Sequence, residues 1–301
     1  MDGILIIDKP AGITSHDVVS RVRRILKTRR VGHTGTLDPF ATGVMVILVG
    51  KATRLAQFLD KDEKEYEAVV RFGFETDTGD ATGVRNAERG MRSEEVAELL
   101  AETNWATLLS EFLGEIEQVP PMYSAKKIAG KKLYEHARKG IEVDREPITV
   151  NIRKLDAIND TSSGPHSTLR IRVVCSAGTY IRTLAEDIGK KLVTGAHLAE
   201  LRRTRAGRFG IDQSITLDAL EKLDEPTDRL LPLTDAVSNL PSVTLSEDRA
   251  EATKNGLSTR LDETQFAMGE AARMIDADGN LLAIGIYDSA ENSIRPKVVL
   301  V

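Results

Sequence analysis

Asp38 is the residue whose type and setting most invite chemistry. It lies in residues 31–43 (VGHTGTLDPFATG), a stretch with three Gly, one Pro and three Thr. That composition cannot continue a helix and reads as a loop feeding the apolar run Val44–Val49. Loops held by a rigid strand commonly carry reactive groups, and a carboxylate there offers nucleophilic or acid–base chemistry. An aspartate before proline is also an ordinary turn-former, and at this point both readings stand. His33, five residues upstream, could face the same cleft or lie on the loop surface. The second feature is Gly178-Thr179-Tyr180-Ile181-Arg182. An arginine among apolar neighbours at a helix start is costly to bury unless paired, and Asp38 is the carboxylate we would pair with it. The third is Tyr66, the first inward residue of an alternating strand, for which core packing is the competing reading.

Several other chemistries are excluded by spacing. Gly50-Lys51 lacks the upstream Gly and the following Ser or Thr of a phosphate loop. HExxH, CxxC, Gly-x-Ser-x-Gly and GxGxxG patterns are all missing, and the five His are scattered. Cys175 sits in an apolar strand, where a buried thiol is the default. No cofactor and no metal are expected.

The elements that must position these residues are legible in outline. Gly3–Asp8 is a short apolar run before a Lys-Pro-Ala-Gly turn, hence a buried strand. Ser15 is the expected N-cap of a helix in which Val18, Val19, Val22, Ile25 and Leu26 recur at helical spacing. Tyr66, Ala68, Val70 and Phe72 alternate with Glu67, Val69 and Arg71, a strand with one apolar face. Residues 75–83 read as a loop, 93–113 as polar helices, and 117–124 as extended because of two prolines. Strands are expected over 149–158 and 168–176, joined by turn-rich residues 159–167. A helix is expected over 179–192, and another over 196–203.

The chain has 301 residues, 41% hydrophobic and 29% charged, with one Cys and no apolar stretch long enough to span a membrane. The lone Cys and the absence of a signal-like N-terminus predict a cytoplasmic protein. The net charge of −5 argues, as an average, against a nucleic-acid partner. Its distribution argues otherwise. Arg21, Arg23, Arg24, Lys27, Arg29 and Arg30 cluster, as do Lys126, Lys127, Lys131, Lys132, Arg138 and Lys139, and then Arg202, Arg203, Arg205 and Arg208. Residues 236–301 hold 6 basic and 10 acidic residues, leaving the rest near neutral. Three basic clusters beside the motifs above point to a polyanion. A polar, proline-punctuated stretch at 224–232 suggests two domains, 1–235 and a small β domain at 236–301.

Six ordered blocks then carry a resemblance: GILIIDKPAGITSHDVV, GHTGTLDPFATGVMVILVGKATR, KEYEAVVRFGFETDTGDATG, QVPPMYSAKKIAGKKLYEHARKG, GTYIRTLAEDIGKKL and GAHLAELRRTRAGRF. Together they resemble the TruB family of bacterial tRNA pseudouridine-55 synthases. The resemblance implies an α+β pseudouridine synthase fold: a mixed, largely antiparallel sheet flanked by helices and loops, with a C-terminal PUA-like β-barrel. It implies cofactor-free isomerisation of uridine 55 in the tRNA T-loop, with the base flipped out of its stack. Asp38 matches the family's catalytic aspartate, Arg182 its active-site arginine and Tyr66 the tyrosine that stacks on the base. Asp38 could attack C1′, attack C6 or remove H2′, and the sequence leaves all three open. His33 matches a residue lying against the T-loop. Lys9 is expected to support the catalytic loop, and Tyr180 and Leu201 to line the pocket. Arg202 and Arg203 are expected on phosphates of the T-arm. The self-contained chain predicts a monomer with no obligate protein partner and no membrane. A tRNA-binding chaperone and an RNA-guided relative within a protein assembly are the competing readings. One departure is Val193, where many relatives have Gly. The acidity of residues 236–301 predicts a minor role for them in RNA affinity.

Overall fold

The computed structural model describes residues 1–86, 92–124, 126–128, 130–137, 139–158, 167–261 and 266–300. In chain order the main elements are β1 (Gly3–Lys9), α1 (Ser15–Ile25), β2 (Val31–Thr34), β3 (Thr42–Val49) and β4 (Lys64–Phe72). They continue with α2 (Ser93–Glu102), α3 (Trp105–Ser110), β5 (Gly114–Gln118), β6 (Ile148–Ala157), β7 (Thr168–Cys175), α4 (Ile181–Lys191) and β8 (Ala196–Ala206). After α5 (Leu217–Glu221) come β9 (Ser242–Thr244), α6 (Glu247–Lys254), β10 (Thr259–Arg260), β11 (Ala271–Ile275), β12 (Leu281–Asp288) and β13 (Ser293–Val299). The fold is α+β.

The large sheet runs β1-β3-β8-β4-β7-β6-β5, with β2 beside β3. Its pairings are antiparallel except β3 with β8, and β1 with the short strand Ile215–Thr216. β4 alternates as its sequence demands: Lys64, Tyr66, Ala68, Val70 and Phe72 are buried and the residues between them are partly exposed. β1 and β3 are apolar without alternation because both of their faces are covered. Leu5, Ile7, Met45, Ile47 and Val49 share one core cluster with Val18, Val19 and Val22 of α1 and Leu184, Ala185 and Ile188 of α4. Ile4, Ile6, Val44, Val46 and Leu48 pack instead with Leu281, Ile284, Val298 and Leu300 from the C-terminal sheet, whose order is β9-β11-β12-β13-β10.

Three local expectations are corrected. Residues 196–203 are not helical: they open β8, seated between β3 and β4. Register shifts between Leu198 and Glu200, and between Arg203 and Arg205, leave the buried positions at 196, 197, 198, 201, 203 and 206. The bulges thereby erase the period of two that would have marked a strand. Residues 31–34 form β2 rather than loop. The N-cap of α1 is Thr14, in a reciprocal capping box with Asp17, not Ser15. Residues 224–229 are exposed or partly exposed, and just beyond them the chain pairs back onto β1. Leu231 exchanges backbone hydrogen bonds with Ile4 at 2.9 and 2.8 Å, and Ala236 and Val237 are buried. The turn expected over 159–167 lies, except for Ser167, outside the described residues.

Candidate active site

The loop carrying Asp38 is held from below by three groups. Ser15 Oγ accepts from Leu37 N at 2.9 Å and donates to Leu37 O at 3.0 Å. Gly12 N donates to Pro39 O at 2.8 Å. Lys9, fully buried, gives its three protons to Ala41 O (2.7 Å), Pro10 O (2.9 Å) and Pro39 O (3.1 Å). Burial pulls the Lys9 ammonium down to about 8, with Asp38 opposing. Ser15 is thus not a cap but a clamp, which its position at a helix start disguised.

β8 supplies the next layer. It runs parallel to β3 with Arg203 opposite Gly43, and antiparallel to β4 with Arg203 opposite Tyr66. A Cβ on Gly43 would lie 2.2 Å from Arg203 O, and its φ of 102° lies in the region that favours glycine, so only glycine permits this close approach. Arg203 turns inward, 1% exposed, and donates to Val44 O at 2.7 Å and Gly35 O at 3.1 Å. Both hydrogen bonds point into the protein, away from the outer surface. Arg202 lies on the other face of β8. It forms a bidentate pair with Asp8 (2.8 and 3.1 Å) outside the Asp38 cleft and is 40% exposed.

Arg182 projects from the first turn of α4. It is 5% exposed, and its fork spans three segments. Nε lies 3.0 Å from Asp38 Oδ2, Nη1 donates to Thr78 O at 2.9 Å, and Nη2 donates to Tyr123 O at 2.7 Å. Asp80 Oδ2 lies 3.8 Å from Nη1. Asp80 was not singled out in the sequence. Its other oxygen accepts from Thr82 Oγ1 (2.6 Å), Thr78 Oγ1 (2.9 Å) and Thr82 N (2.9 Å), closing the turn within DTGDATG. The signal was an acid flanked by threonines and glycines, which describes a turn equally well.

Asp38 is half-buried. Desolvation raises its pKa above the usual carboxylate value, Asp80 adds to the rise, and Arg182 and Lys9 oppose it. Burial outweighs the arginine here. Tyr66 is raised by complete desolvation, with Arg203 opposing, so the ring stays a neutral phenol at neutral pH.

A cleft of about 270 Å³ joins these groups. Asp38, Tyr66, Tyr180, Arg182, Leu201 and Arg203 line it, together with Lys64 and Lys126. Lys64 also went unnoticed in the sequence. It is buried, donates to Asp60 O at 2.9 Å and to Asp62 O, and burial lowers its pKa. Four cations face two carboxylates in this wall, so the cleft suits an anionic ligand despite the acidic chain. His33 lies in β2 and is not among the lining residues; burial lowers its pKa, and Arg203 lowers it further. Lys9 sits behind the loop rather than in the cleft.

The basic clusters divide. Arg21 is paired with Asp218 and Glu221 at 2.6 Å, and Arg23 donates to Val31 O at 2.9 Å. Arg205 is held by Glu63 and Glu65, while Arg208 is exposed and donates to Asp235 O. Arg24, Lys27, Arg29 and Arg30 are exposed. Arg138 lies outside the described residues, as do the side chains of Lys127, Lys131 and Lys132.

Residues 23–181 match the family described as TruB family pseudouridylate synthase (N terminal domain). Residues 182–238 match the tRNA pseudouridylate synthase B C-terminal domain. This chain belongs to the TruB family of pseudouridylate synthases. It is 43% identical over 306 residues to the tRNA pseudouridine synthase B of Solibacter usitatus (strain Ellin6076), covering all of both chains. It is 38% identical over 308 residues to the protein of that name from Bacillus pumilus (strain SAFR-032), covering this whole chain and 98% of the relative. Among solved structures it resembles a chain of an H/ACA RNP bound to a substrate RNA containing 2′-deoxyuridine. The TM-score is 0.72 at 25% identity, over 99% of this chain and 85% of that one. A chain of a Cbf5-Nop10-Gar1 complex matches with a TM-score of 0.71 at 27% identity, over the same shares. The TruB-family chain therefore carries the pseudouridine synthase fold. Among its described residues no helix is long and apolar enough to cross a membrane.

Proposed function

We propose that this chain isomerises uridine 55 in the T-loop of tRNA to pseudouridine, with Asp38 as the catalytic residue. The observation that carries the reading is the Asp38–Arg182 pair facing Tyr66 in one cleft, in a chain whose relatives are named tRNA pseudouridine synthase B. The reaction breaks the C1′–N1 bond, turns the base and joins C5 to C1′. It is redox-neutral, so the residues present suffice.

Asp38 supplies the carboxylate that starts glycosidic cleavage. Arg182 favours its ionised form against desolvation and holds the loop to the turn bearing Asp80. Tyr66 offers the flipped uracil a stacking face, which offsets part of the unstacking cost at about 1–3 kcal/mol per base. Its hydroxyl is the candidate for assisting loss of the C5 proton. Tyr180 and Leu201 form the side walls, and Lys9 keeps the loop in place. His33 acts outside the cleft, against the folded T-loop, and Arg202 acts at its margin. The exposed cations Arg24, Lys27, Arg29 and Arg30 contact phosphates of the T-arm. The protein works in the cytoplasm as a monomer without a protein partner. Residues 236–301 form a PUA-like unit that covers the back of β1 and β3 and adds little RNA affinity.

The test is an unmodified tRNA transcript tritiated at uridine C5. The protein should release one tritium per transcript, Asp38→Asn none, and a transcript with cytidine at position 55 none. Release that persists from the cytidine transcript would remove the position-55 assignment. Turnover by Asp38→Asn would remove the catalytic one.

A further inference from the structure

Gln118 ends β5 and is 1% exposed. Both ends of its carboxamide bond one residue of another segment. Oε1 accepts from Tyr180 N at 2.9 Å, and Nε2 donates to Tyr180 O at 3.2 Å. A side chain thus does what a neighbouring strand's backbone would do, gripping both polar groups of one peptide residue.

The gripped residue matters. Tyr180 is the N-cap of α4, is extended (φ −98°, ψ 104°), and makes no side-chain cap hydrogen bond. The preceding turn, Ser176–Thr179, forms a wall of the cleft. Its entry is fixed to β6, since Ser176 N donates to Asn151 O at 2.8 Å and Asn151 N donates to Ser176 Oγ at 2.9 Å. Across its middle Thr179 Oγ1 donates to Ser176 O at 2.9 Å, while Gly178, at φ 87°, has no atom within 4 Å of where a Cβ would stand. The exit of the turn is held by Gln118. Two residues beyond Tyr180 comes Arg182, whose Nη2 bonds Tyr123 O on the chain that continues from Gln118. One strand end therefore fixes both the start of α4 and the tip of its arginine.

We infer that Gln118 is a positioning residue of the reaction, holding the start of α4 so that Arg182 meets Asp38. The inference rests on the function proposed above. Removing the carboxamide frees the turn exit, the fork of Arg182 shifts against Asp38, and misplacement of a paired group by about 1 Å is enough to slow chemistry substantially.

The experiment uses the full chain with Gln118→Met, which keeps length and removes both hydrogen bonds. Gln118→Leu is the second variant, which is also uncharged and also removes both hydrogen bonds. Folding of each is verified by thermal unfolding. The Asp38 carboxyl is titrated by carbon-13 NMR, assigned with Asp38→Asn. The charged groups bearing on it are Arg182, Asp80 and Lys9. In both variants its pKa should rise by about 0.5–1 unit, because the opposing arginine is less well placed. Single-turnover conversion of the tRNA transcript should slow about ten- to a hundredfold, with the dissociation constant within about twofold. An Asp38 titration that stays at the wild-type value in both folded variants overturns the inference. A wild-type protein that never converts the transcript, while the titration still shifts, overturns the proposed function and leaves the positioning role standing.

Discussion

Arg182 and Asp38 form one ion pair, yet their removal should have very different costs. Arg182→Met takes the guanidinium from a site 5% exposed. It leaves Asp38 half-buried, Asp80 buried, and Thr78 O and Tyr123 O without their donor. Breaking a buried pair from one side costs about 3–5 kcal/mol, and each orphaned buried acceptor about 1–3 kcal/mol. Water reaches Asp38, whose side chain is 31% exposed, so the lower ends apply, and the broken pair with its two orphaned acceptors should cost about 5 kcal/mol in all. Asp38→Asn is different. The amide oxygen can accept from Arg182 Nε in place of the carboxylate, and the arginine keeps Asp80, Thr78 O and Tyr123 O. Burial raises the Asp38 pKa, so the ionised group is a net cost to the folded state at neutral pH. The expected change is within about 1 kcal/mol of wild type.

The pH dependence follows from the direction of the shift. A carboxyl whose folded pKa is raised contributes stability that is fully present below its unfolded value and lost as the pH rises through the folded one. The stability of Asp38→Asn relative to wild type should therefore improve from pH 4 to pH 7. The assay is urea unfolding at 25 °C with the slope held constant across variants. Equal losses for the two variants, or a loss above about 3 kcal/mol for Asp38→Asn, would show that the pair and not the network holds the arginine.

Two further outcomes test other parts of the molecule. Val193 adopts φ 60° and is 81% exposed between α4 and β8. A left-handed L-residue costs about 1–2 kcal/mol, and glycine loses about 0.5–1 kcal/mol of that gain through unfolded-state entropy, so Val193→Gly should raise stability by about 0.5–1 kcal/mol. A lowered melting temperature would contradict it. On α1 and after it, Arg24→Glu with Arg29→Glu should weaken tRNA binding and flatten the log-affinity against log-salt slope by about 0.7–0.9 per lost phosphate contact. Arg24 is 72% exposed and only 3.9 Å from Glu221, so little internal structure depends on it. An unchanged slope would take this surface out of the interface. Arg23 is the wrong target, because its guanidinium serves Val31 O.

What the sequence by itself determined was whatever repeats locally. The alternation in β4, the apolar runs of β1 and β3 and the helical spacing of α1 each encode burial in a single segment, because the period of side-chain direction is a property of the backbone. The ordered motif blocks likewise picked out Asp38, Tyr66 and Arg182 as residues to bring together, and the tertiary structure places all three in one cleft. Other features were decided only by partners distant in the chain. Residues 196–203 had helix-like apolar spacing, yet pairing with β3 and β4 and two register shifts made them a strand. Arg203 looked like one more surface cation, and the second shift did not spare it: β8 turns it inward onto Val44 O and Gly35 O. Asp80, Lys64, Ser15 and Gln118 sit in segments whose patterns describe a turn, a strand start, a cap and an extended strand. Their importance arises from what each faces across the fold: Arg182, the carbonyls of Asp60 and Asp62, Leu37 and Tyr180. A buried polar group must be satisfied, and its partner is chosen by packing, which no local period records.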